Sequence, residues 1–250
     1  MNVLTSRKYQ RYLPRFLVGL LCGVCSLASA QSLSVATPSS VGMSGPALEA
    51  VTERLQQHID AGDIAGVVAA VARDGQIVYF KALGMLDIES ATPMREDALF
   101  RIYSMTRQIT SAAVLQLHEQ GAFEFDDPIS KYLPEFADQQ VLVDAESDGV
   151  GGWPVRDRNG DITVAHLLTH TSGLGSRSSR LYRENNVRDR NITLDQMVSN
   201  AARVPLFQDP GTRFRYGIHA TILGKLVEIW SGMPFEDYLE ANLFQPLAMN

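Results

Sequence analysis

An Asp-Gly pair at positions 74 and 75 constrains the fold of this chain more than any other feature. It separates two short runs of β-branched and apolar residues, 66–71 and 76–80. Two such runs around Asp-Gly predict a β-hairpin, because this dipeptide fits the tight turns that join antiparallel strands. Residues 83–87 extend the second strand or begin a turn. The folded part of the chain is therefore expected to begin with antiparallel sheet.

Helical periodicity dominates the remainder of the chain. Before the hairpin, a helix is predicted over 46–61, since apolar residues recur on one side of it. The later helices are predicted over residues 100–120, 164–169, 194–202, 220–230 and 235–243. Asp127 is expected to cap a further short helix whose first residue is Pro128. The polar segments 137–161 and 173–191 are predicted to be surface loops, so the fold class is α+β.

The first thirty residues have the pattern of an export signal. Their basic residues are Arg7, Lys8, Arg11 and Arg15. A mostly apolar run over 16–27 follows, and Ala28-Ser29-Ala30 is a small-x-small cleavage site. The run is shorter than the roughly 20 residues that span a membrane, so cleavage is favoured over an uncleaved anchor. We expect a signal peptide over 1–30, a single domain over 31–250, and a periplasmic or secreted protein.

Removing that segment changes the charge and the cysteine count. Four of the 22 Lys and Arg residues lie in it, so 18 remain against 28 acidic residues, a formal net charge of −10. Both cysteines, Cys22 and Cys25, lie in it as well, which excludes a disulfide or a cysteine metal site in the mature part. So acidic a chain is not expected to bind nucleic acid. No later stretch approaches membrane-spanning length.

Ser104 is the strongest local candidate for a catalytic residue. It opens the apolar helix predicted over 100–120, where unpaired backbone N–H groups and the helix dipole would stabilise a forming alkoxide. Arg107, three residues later, falls on the same face of the helix. A serine at this position is also a good N-cap. The helix alone leaves the N-cap and the nucleophile equally open.

Several other active-site patterns are absent from the sequence. It contains no Gly-x-Ser-x-Gly, no His-Glu-x-x-His and no P-loop. Among the five histidines, only His166 and His170 have ligand-like spacing on a predicted helix. Because no carboxylate pattern accompanies them, we expect no metal site and no cofactor.

Three downstream segments identify a family. They are Leu-Leu-Thr-His-Thr-Ser-Gly-Leu at 167–174, Pro-Gly-Thr-Arg-Phe-Arg-Tyr at 210–216 with Leu223, Gly224 and Glu228 after it, and Leu-Phe-Gln-Pro-Leu-Ala-Met at 243–249. In this order and spacing they resemble the serine β-lactamase and penicillin-binding-protein superfamily. The resemblance covers residues 42–250. It is nearest to the class C β-lactamases and to the esterases that share their fold.

The resemblance implies a fold and a set of site residues. The implied fold is an antiparallel sheet flanked by helices, beside a helical region, with the active site between them. Ser104 aligns with the serine of the family's Ser-x-x-Lys motif, and Tyr216 aligns with the tyrosine of its Tyr-x-Asn motif. By the same resemblance, His170 is structural.

Arg107 departs from the family pattern, because it occupies the position of the motif lysine. Arginine stays protonated and cannot accept the serine proton. It would still place a positive charge near Ser104 and could favour a phenolate at Tyr216, which would then be the only base of the pair. The alternative is a weakened nucleophile.

Two more departures bear on function. Ile218 replaces the Asn of Tyr-x-Asn, and an apolar side chain there cannot hydrogen-bond the amide of a β-lactam, which favours ester cleavage. The family's later strand, with its Lys-Thr-Gly-like or His-x-Gly-like motif, has no counterpart before Asn250. We therefore expect a C-terminally truncated chain without the last strands.

The sequence leaves three functions open. The first is a serine hydrolase that cleaves carboxylic esters through an acyl-Ser104 intermediate. The second is an impaired relative that only binds its ligand, or an inactive fragment. The third is a β-lactamase or D,D-peptidase. The expected partner is a small-molecule ester or β-lactam-like substrate, and the sequence carries no prediction of oligomeric state.

Overall fold

The computed structural model describes residues 33–145, 152–176, 178–187, 189 and 191–249. The predicted signal peptide, its cleavage site and both cysteines lie outside these residues. In the part of the chain that is described, no helix combines the length and apolar character that crossing a membrane requires.

The predicted hairpin is confirmed and forms the centre of a four-stranded sheet. The strands are β1 (Ser34–Val35), β2 (Gly66–Arg73), β3 (Gln76–Asp87) and β4 (Thr92–Pro93). β2 and β4 are antiparallel to β3, whereas the two-residue β1 is parallel to it. The turn residues Asp74 and Gly75 have φ of 52° and 71°, the left-handed conformation that tight hairpin turns demand.

Two glycines face each other at the far end of the hairpin. Gly66 of β2 pairs with Gly84 of β3. A Cβ on Gly66 would lie 2.4 Å from the carbonyl oxygen of Met85, and one on Gly84 would lie 2.5 Å from that of Ala65. The two strands approach so closely here that neither position has room for a side chain.

Helices make up most of the remaining chain, as predicted. They are α1 (Gly45–Asp60), α2 (Thr106–Glu119), α3 (Val164–Leu168), α4 (Arg180–Glu184), α5 (Leu194–Ala202), α6 (His219–Ser231) and α7 (Phe235–Leu239). Ser44 begins α1 by accepting a hydrogen bond from the Ala47 N–H at 3.3 Å, and Gly232 ends α6 with φ of 70°. Both are ordinary helix-capping signals.

The short helix predicted near Asp127 is wrong in detail. The short helix near Asp127 is a 3₁₀ turn, Ile129–Lys131, that starts after an extended Pro128. Asp127 does not cap it. Its carboxylate instead accepts hydrogen bonds from the Glu124 N–H at 2.9 Å and from the Tyr132 hydroxyl at 2.6 Å.

The two predicted surface loops both contain regular structure. Within 137–161, β5 (Val141–Leu142) pairs antiparallel with β6 (Val155–Arg156), and β5 is buried rather than on the surface. Within 173–191 lies α4, which Ser179 caps. The last predicted helix, 235–243, is also different, because α7 continues as a π-helical turn over Glu240–Phe244.

The hydrophobic core is divided very unequally. Among the described residues, one cluster of 30 buried apolar residues joins α2, α3, α5, α6 and α7 with the turns between them. The other consists of four residues, Val41, Leu48, Val78 and Tyr79, between α1 and the hairpin. The structure therefore has a large helical core beside a thinly supported sheet.

Candidate active site

Ser104 lies in a tight turn and not within a helix. The 3₁₀ turn Tyr103–Met105 precedes α2, whose first residue is Thr106. Of the two roles that the helix left open for Ser104, the N-cap is wrong, because Met105 occupies the cap position and the Ser104 side chain makes no hydrogen bond to a described residue. Tyr103 holds a φ of 44°, a costly conformation for a residue with a side chain. The hydroxyl of Ser104 is left exposed.

A pocket of about 640 Å³ opens beside Ser104. We call it the Ser104 pocket. Its lining residues are Arg101, Ile102, Tyr103, Ser104, Thr106, Arg107, Thr110, Ser176, Leu194, Tyr216, Gly217, Ile218, Ala220, Thr221, Gly224 and Phe235. The three residues predicted to form the site, Ser104, Arg107 and Tyr216, are thus brought to one cavity of the size that small-molecule ligands occupy.

Arg107 and Tyr216 are in direct contact. The guanidinium carbon of Arg107 lies 4.2 Å from the centroid of the Tyr216 ring. A cation at this distance interacts favourably with the face of an aromatic ring. Arg107 therefore keeps a positive charge against the phenol, in the place where the family motif has a lysine.

The 167–174 segment positions Tyr216 through backbone hydrogen bonds. The Gly211 N–H donates to the Thr171 carbonyl at 2.8 Å, and the Arg215 N–H donates to the His170 carbonyl at 2.8 Å. A further bond joins the Ile218 N–H to the Gly175 carbonyl at 3.1 Å. The segment before α6 is therefore fixed on both sides of Tyr216.

Close backbone packing explains two glycines in these segments. A Cβ on Gly173, which has φ of +86°, would lie 2.2 Å from the carbonyl oxygen of Gln208. A Cβ on Gly217 would lie 2.3 Å from that of Gly175. Only glycine allows the segments to approach each other in this way.

The structure adds a contact behind Tyr216 that sequence reasoning did not predict. His219, the first residue of α6, is fully buried, and its Nδ1 lies 2.9 Å from the Nδ1 of His170. A neutral imidazole has one N–H and one bare nitrogen, so one ring donates and the other accepts. The His170 ring also packs on Tyr216, with 5.0 Å between ring centroids. The two histidines are 49 positions apart, and no periodicity links them.

Burial and positive charge favour the neutral form of both histidines. Burial, with a smaller contribution from the charge of Arg107, lowers the pKa of His170 below its usual value. For His219, burial followed by the charges of His170 and Arg107 lowers the pKa to about 3, although the backbone at Gly217 acts in the opposite direction. The positive field of Arg107 therefore reaches well behind the pocket.

His166 and His170, the pair with ligand-like spacing, have separate roles. The Nδ1 of His166 accepts a hydrogen bond from the Thr163 N–H at 3.2 Å and completes a capping box at the start of α3. His170 contacts His219 instead. Within the described ranges, no group of three His, Cys, Asp or Glu side chains could hold a metal ion.

Family comparison agrees with this geometry. The family model described as Beta-lactamase matches residues 51–250, which include the turn at Ser104 and the segment at Tyr216. The chain belongs to the Beta-lactamase family. Solved structures that superpose on the chain confirm the predicted β-lactamase-type α+β fold.

Similar proteins include an esterase and several acyltransferases. The chain is 38% identical over 194 residues to esterase EstB of Burkholderia gladioli, covering 74% of this chain and 46% of that protein. It is 35% identical over 183 residues to acyltransferase calJ of Penicillium decumbens, covering 70% and 43%. The solved structure of EstCE1, a hydrolase with promiscuous acyltransferase activity, superposes with a TM-score of 0.68 at 30% identity, covering 82% of this chain and 53% of that one. The chain spans about half the length of the curated relatives it matches.

Proposed function

We propose that this protein is a serine hydrolase that cleaves carboxylic esters through an acyl-Ser104 intermediate. The observation that carries the proposal is the convergence of Ser104, Arg107 and Tyr216 on one pocket, with Arg107 4.2 Å from the Tyr216 ring. Esterase and acyltransferase relatives support the same chemistry.

In the first half-reaction, the Tyr216 phenolate accepts the proton of the Ser104 hydroxyl. The serine oxygen attacks the ester carbonyl carbon, and a tetrahedral oxyanion forms. When it collapses, the bond to the alkoxy group breaks and that group takes the proton from Tyr216 as it leaves as an alcohol. Ser104 is then acylated and Tyr216 is again a phenolate.

In the second half-reaction, water replaces the alcohol. Tyr216 accepts a proton from the water as it attacks the acyl carbonyl, and it returns that proton to Ser104 when the ester bond to the enzyme breaks. An acceptor alcohol in place of water would complete an acyl transfer. The acyltransferase relatives favour this second outcome of the same intermediate.

Arg107 takes an electrostatic role in this scheme. Because arginine cannot give up its proton under these conditions, it cannot replace the motif lysine as a base. Its charge stabilises the phenolate of Tyr216 instead. Ile218, which is buried in the pocket wall, favours an ester over a β-lactam because it offers no hydrogen bond to an amide.

Hydrolysis of 4-nitrophenyl acetate by the chain and three variants tests the proposal. Ser104→Ala should lower kcat/KM at least about a thousandfold, and Tyr216→Phe about a hundredfold or more. Ser111→Ala, a serine on α2 outside the pocket, is the matched control and should retain activity. An unchanged rate in Tyr216→Phe would exclude Tyr216 as the base.

Labelling separates the remaining candidates. A fluorophosphonate probe should modify Ser104, as mass spectrometry of the tryptic peptide would show, whereas a fluorescent penicillin should not. Modification by penicillin would favour the β-lactamase or D,D-peptidase branch. If the unmodified chain shows neither turnover nor labelling, and Arg107→Lys gains activity, the protein would be an impaired ligand-binding relative.

We also propose that the protein is exported. The basic start, apolar run and Ala28-Ser29-Ala30 support it. N-terminal sequencing of protein from the periplasm or medium should begin at Gln31, and a cytoplasmic protein beginning at Met1 would contradict export.

A further inference from the structure

The charge of the Ser104 pocket is opposite to that of the chain. Its described lining residues include two arginines, Arg101 and Arg107, and no Asp or Glu. Over the whole sequence, by contrast, 28 acidic residues outnumber 22 Lys and Arg. A local excess of positive charge in an acidic protein favours a ligand of negative charge.

Arg101 is the arginine that remains available to a ligand. Arg107 is engaged with the ring of Tyr216. Arg101 is exposed at the pocket and forms no ion pair or hydrogen bond with any described residue. It lies three residues before Ser104, at the entrance to the turn that carries the candidate nucleophile.

Other features of the pocket add to the positive potential. The 14-residue helix α2 begins at Thr106, which lines the pocket, and the N-terminus of a helix carries a partial positive charge. The charge of Arg107 lowers the pKa of both His170 and His219. These effects come from different groups, and all of them disfavour cations and favour anions.

We propose that the Ser104 pocket selects esters that carry a carboxylate, with the carboxylate bound by Arg101 while Ser104 attacks the ester carbonyl. This inference rests on the proposed ester hydrolysis and names its substrate class. A guanidinium can donate two parallel hydrogen bonds to a carboxylate, which fixes its orientation as well as its charge. The apolar side chains of Leu194, Ile218 and Phe235 provide surface for the hydrocarbon part of such a molecule.

Binding can be measured without turnover in a Ser104→Ala variant of the chain. The probes are glutaric acid mono-4-nitroanilide, an anion at pH 7.5, and its methyl ester, which is neutral and nearly the same shape. Isothermal titration calorimetry should give about tenfold tighter binding of the anion. Raising NaCl from about 50 to 500 mM should weaken binding of the anion and leave the affinity for the neutral ester unchanged, because salt screens only the charged pair.

Substitutions in the same background then assign the preference to Arg101. Arg101→Gln should reduce it to within about twofold, and Arg101→Lys, which keeps the charge but not the paired donors, should retain part of it. Arg73→Gln, the same change of charge on β2 outside the pocket, is the matched control. Equal affinities for the two probes, or a preference that survives Arg101→Gln, would overturn the inference. If Arg101→Gln fails to fold, the two probes and the salt series still decide it.

Turnover of mono-4-nitrophenyl glutarate and its methyl ester by the unmodified chain separates the two proposals. Faster cleavage of the anion supports both. Cleavage without preference for the anion retains the ester hydrolase and rejects the carboxylate site. Selective binding without cleavage retains the carboxylate site and rejects the hydrolase.

Discussion

The helical region and the hairpin region of this protein are stabilised by hydrophobic cores of very different size. In the part of the chain that the structure describes, the helices share a core of 30 buried apolar residues, whereas four such residues connect the hairpin to α1. The candidate site is formed by residues of the region that has the larger core. None of the described strand residues lines the Ser104 pocket. Most of its residues come from α2, α6 and the segments that precede them, and Ser176, Leu194 of α5 and Phe235 of α7 complete the lining.

This difference indicates that the geometry of the site depends on the helical core and not on the sheet. Ser104 lies in the turn that leads into α2, and Arg107 lies in the first turn of that helix. Tyr216 is held by the backbone hydrogen bonds that connect the segment before α6 to residues 170–175. Damage to the helices should therefore disturb stability and site together. Damage to the hairpin should affect stability alone.

The largest effect is expected from a core phenylalanine. Phe136 is 1% exposed in the helical core. Phe136→Ala should lower the free energy of unfolding by about 3–5 kcal/mol, through lost burial and the cavity left behind. Urea denaturation measures it. The matched control is Phe80→Ala on β3, where the ring is 38% exposed. Equal losses of unfolding free energy in the two variants would contradict the difference between the two regions.

Acid should destabilise the helical region through His219. In the unfolded chain this histidine takes up a proton near pH 6.5, but in the folded protein its pKa is about 3. Between these values the unfolded state binds more protons, so the free energy of unfolding falls as the pH is lowered. The full shift would correspond to roughly 4–5 kcal/mol at about 1.4 kcal/mol per pH unit, and we expect about 2 kcal/mol once the site relaxes.

Urea denaturation at pH 6.5 and pH 4 would check this, with His219→Leu as the comparison variant. That variant should show a much smaller loss over the same range. The depressed pKa of Asp127, about 2, does not interfere, because its stabilising contribution is lost only below about pH 4. An equal loss in His219→Leu would assign the acid sensitivity to other groups.

A smaller effect is expected in the sheet. Val78 of β3 belongs to the small cluster between the hairpin and α1 and is 8% exposed. Val78→Ala should lower the free energy of unfolding by about 1–1.5 kcal/mol. Hydrogen exchange should accelerate at amides of β2 and β3 but not at those of α6. Fluorophosphonate labelling of Ser104 should proceed at its normal rate, and a slower rate would show that the sheet supports the site after all.

The smallest effects are expected at helix caps, and they should be alike in the two regions. Ser44 caps α1 beside the hairpin, and Thr193 caps α5 in the helical region, where its hydroxyl accepts from the Gln196 N–H at 3.2 Å. Each change to Ala should cost about 0.5–1 kcal/mol, because a cap is a local interaction. Thermal unfolding measures both, and a clear difference between them would mean that capping depends on the core behind it.

Much of this architecture could be predicted from local sequence. The Asp-Gly turn specifies the hairpin because only a few residues tolerate its backbone angles. The spacing of apolar residues specifies α1, α2, α5 and α6 because their core-facing sides are well defined. The 210–216 segment predicts Tyr216 as a site residue through the family resemblance, although the backbone hydrogen bonds that fix it are not foreseeable from the sequence.

What could not be predicted depends on distant contacts or on backbone strain. The pairing of β5 with β6 joins strands of only two residues each, which are too short to show the alternation of apolar and polar residues by which strands are predicted. The contact between His170 and His219 forms only when the segment 170–175 packs against the start of α6. The turn at Ser104 includes the left-handed Tyr103, a conformation that a residue with a bulky side chain does not suggest.

The facing glycines of the hairpin have a consequence for how sequences of this type can diverge. At Gly66 and at Gly84, a Cβ would collide with backbone atoms of the opposite strand. Enlarging one residue cannot be compensated by shrinking the other, since neither has a side chain to lose. The two positions should therefore stay glycine together while neighbouring residues drift, and a related sequence that lacks either glycine should have a wider or shifted hairpin.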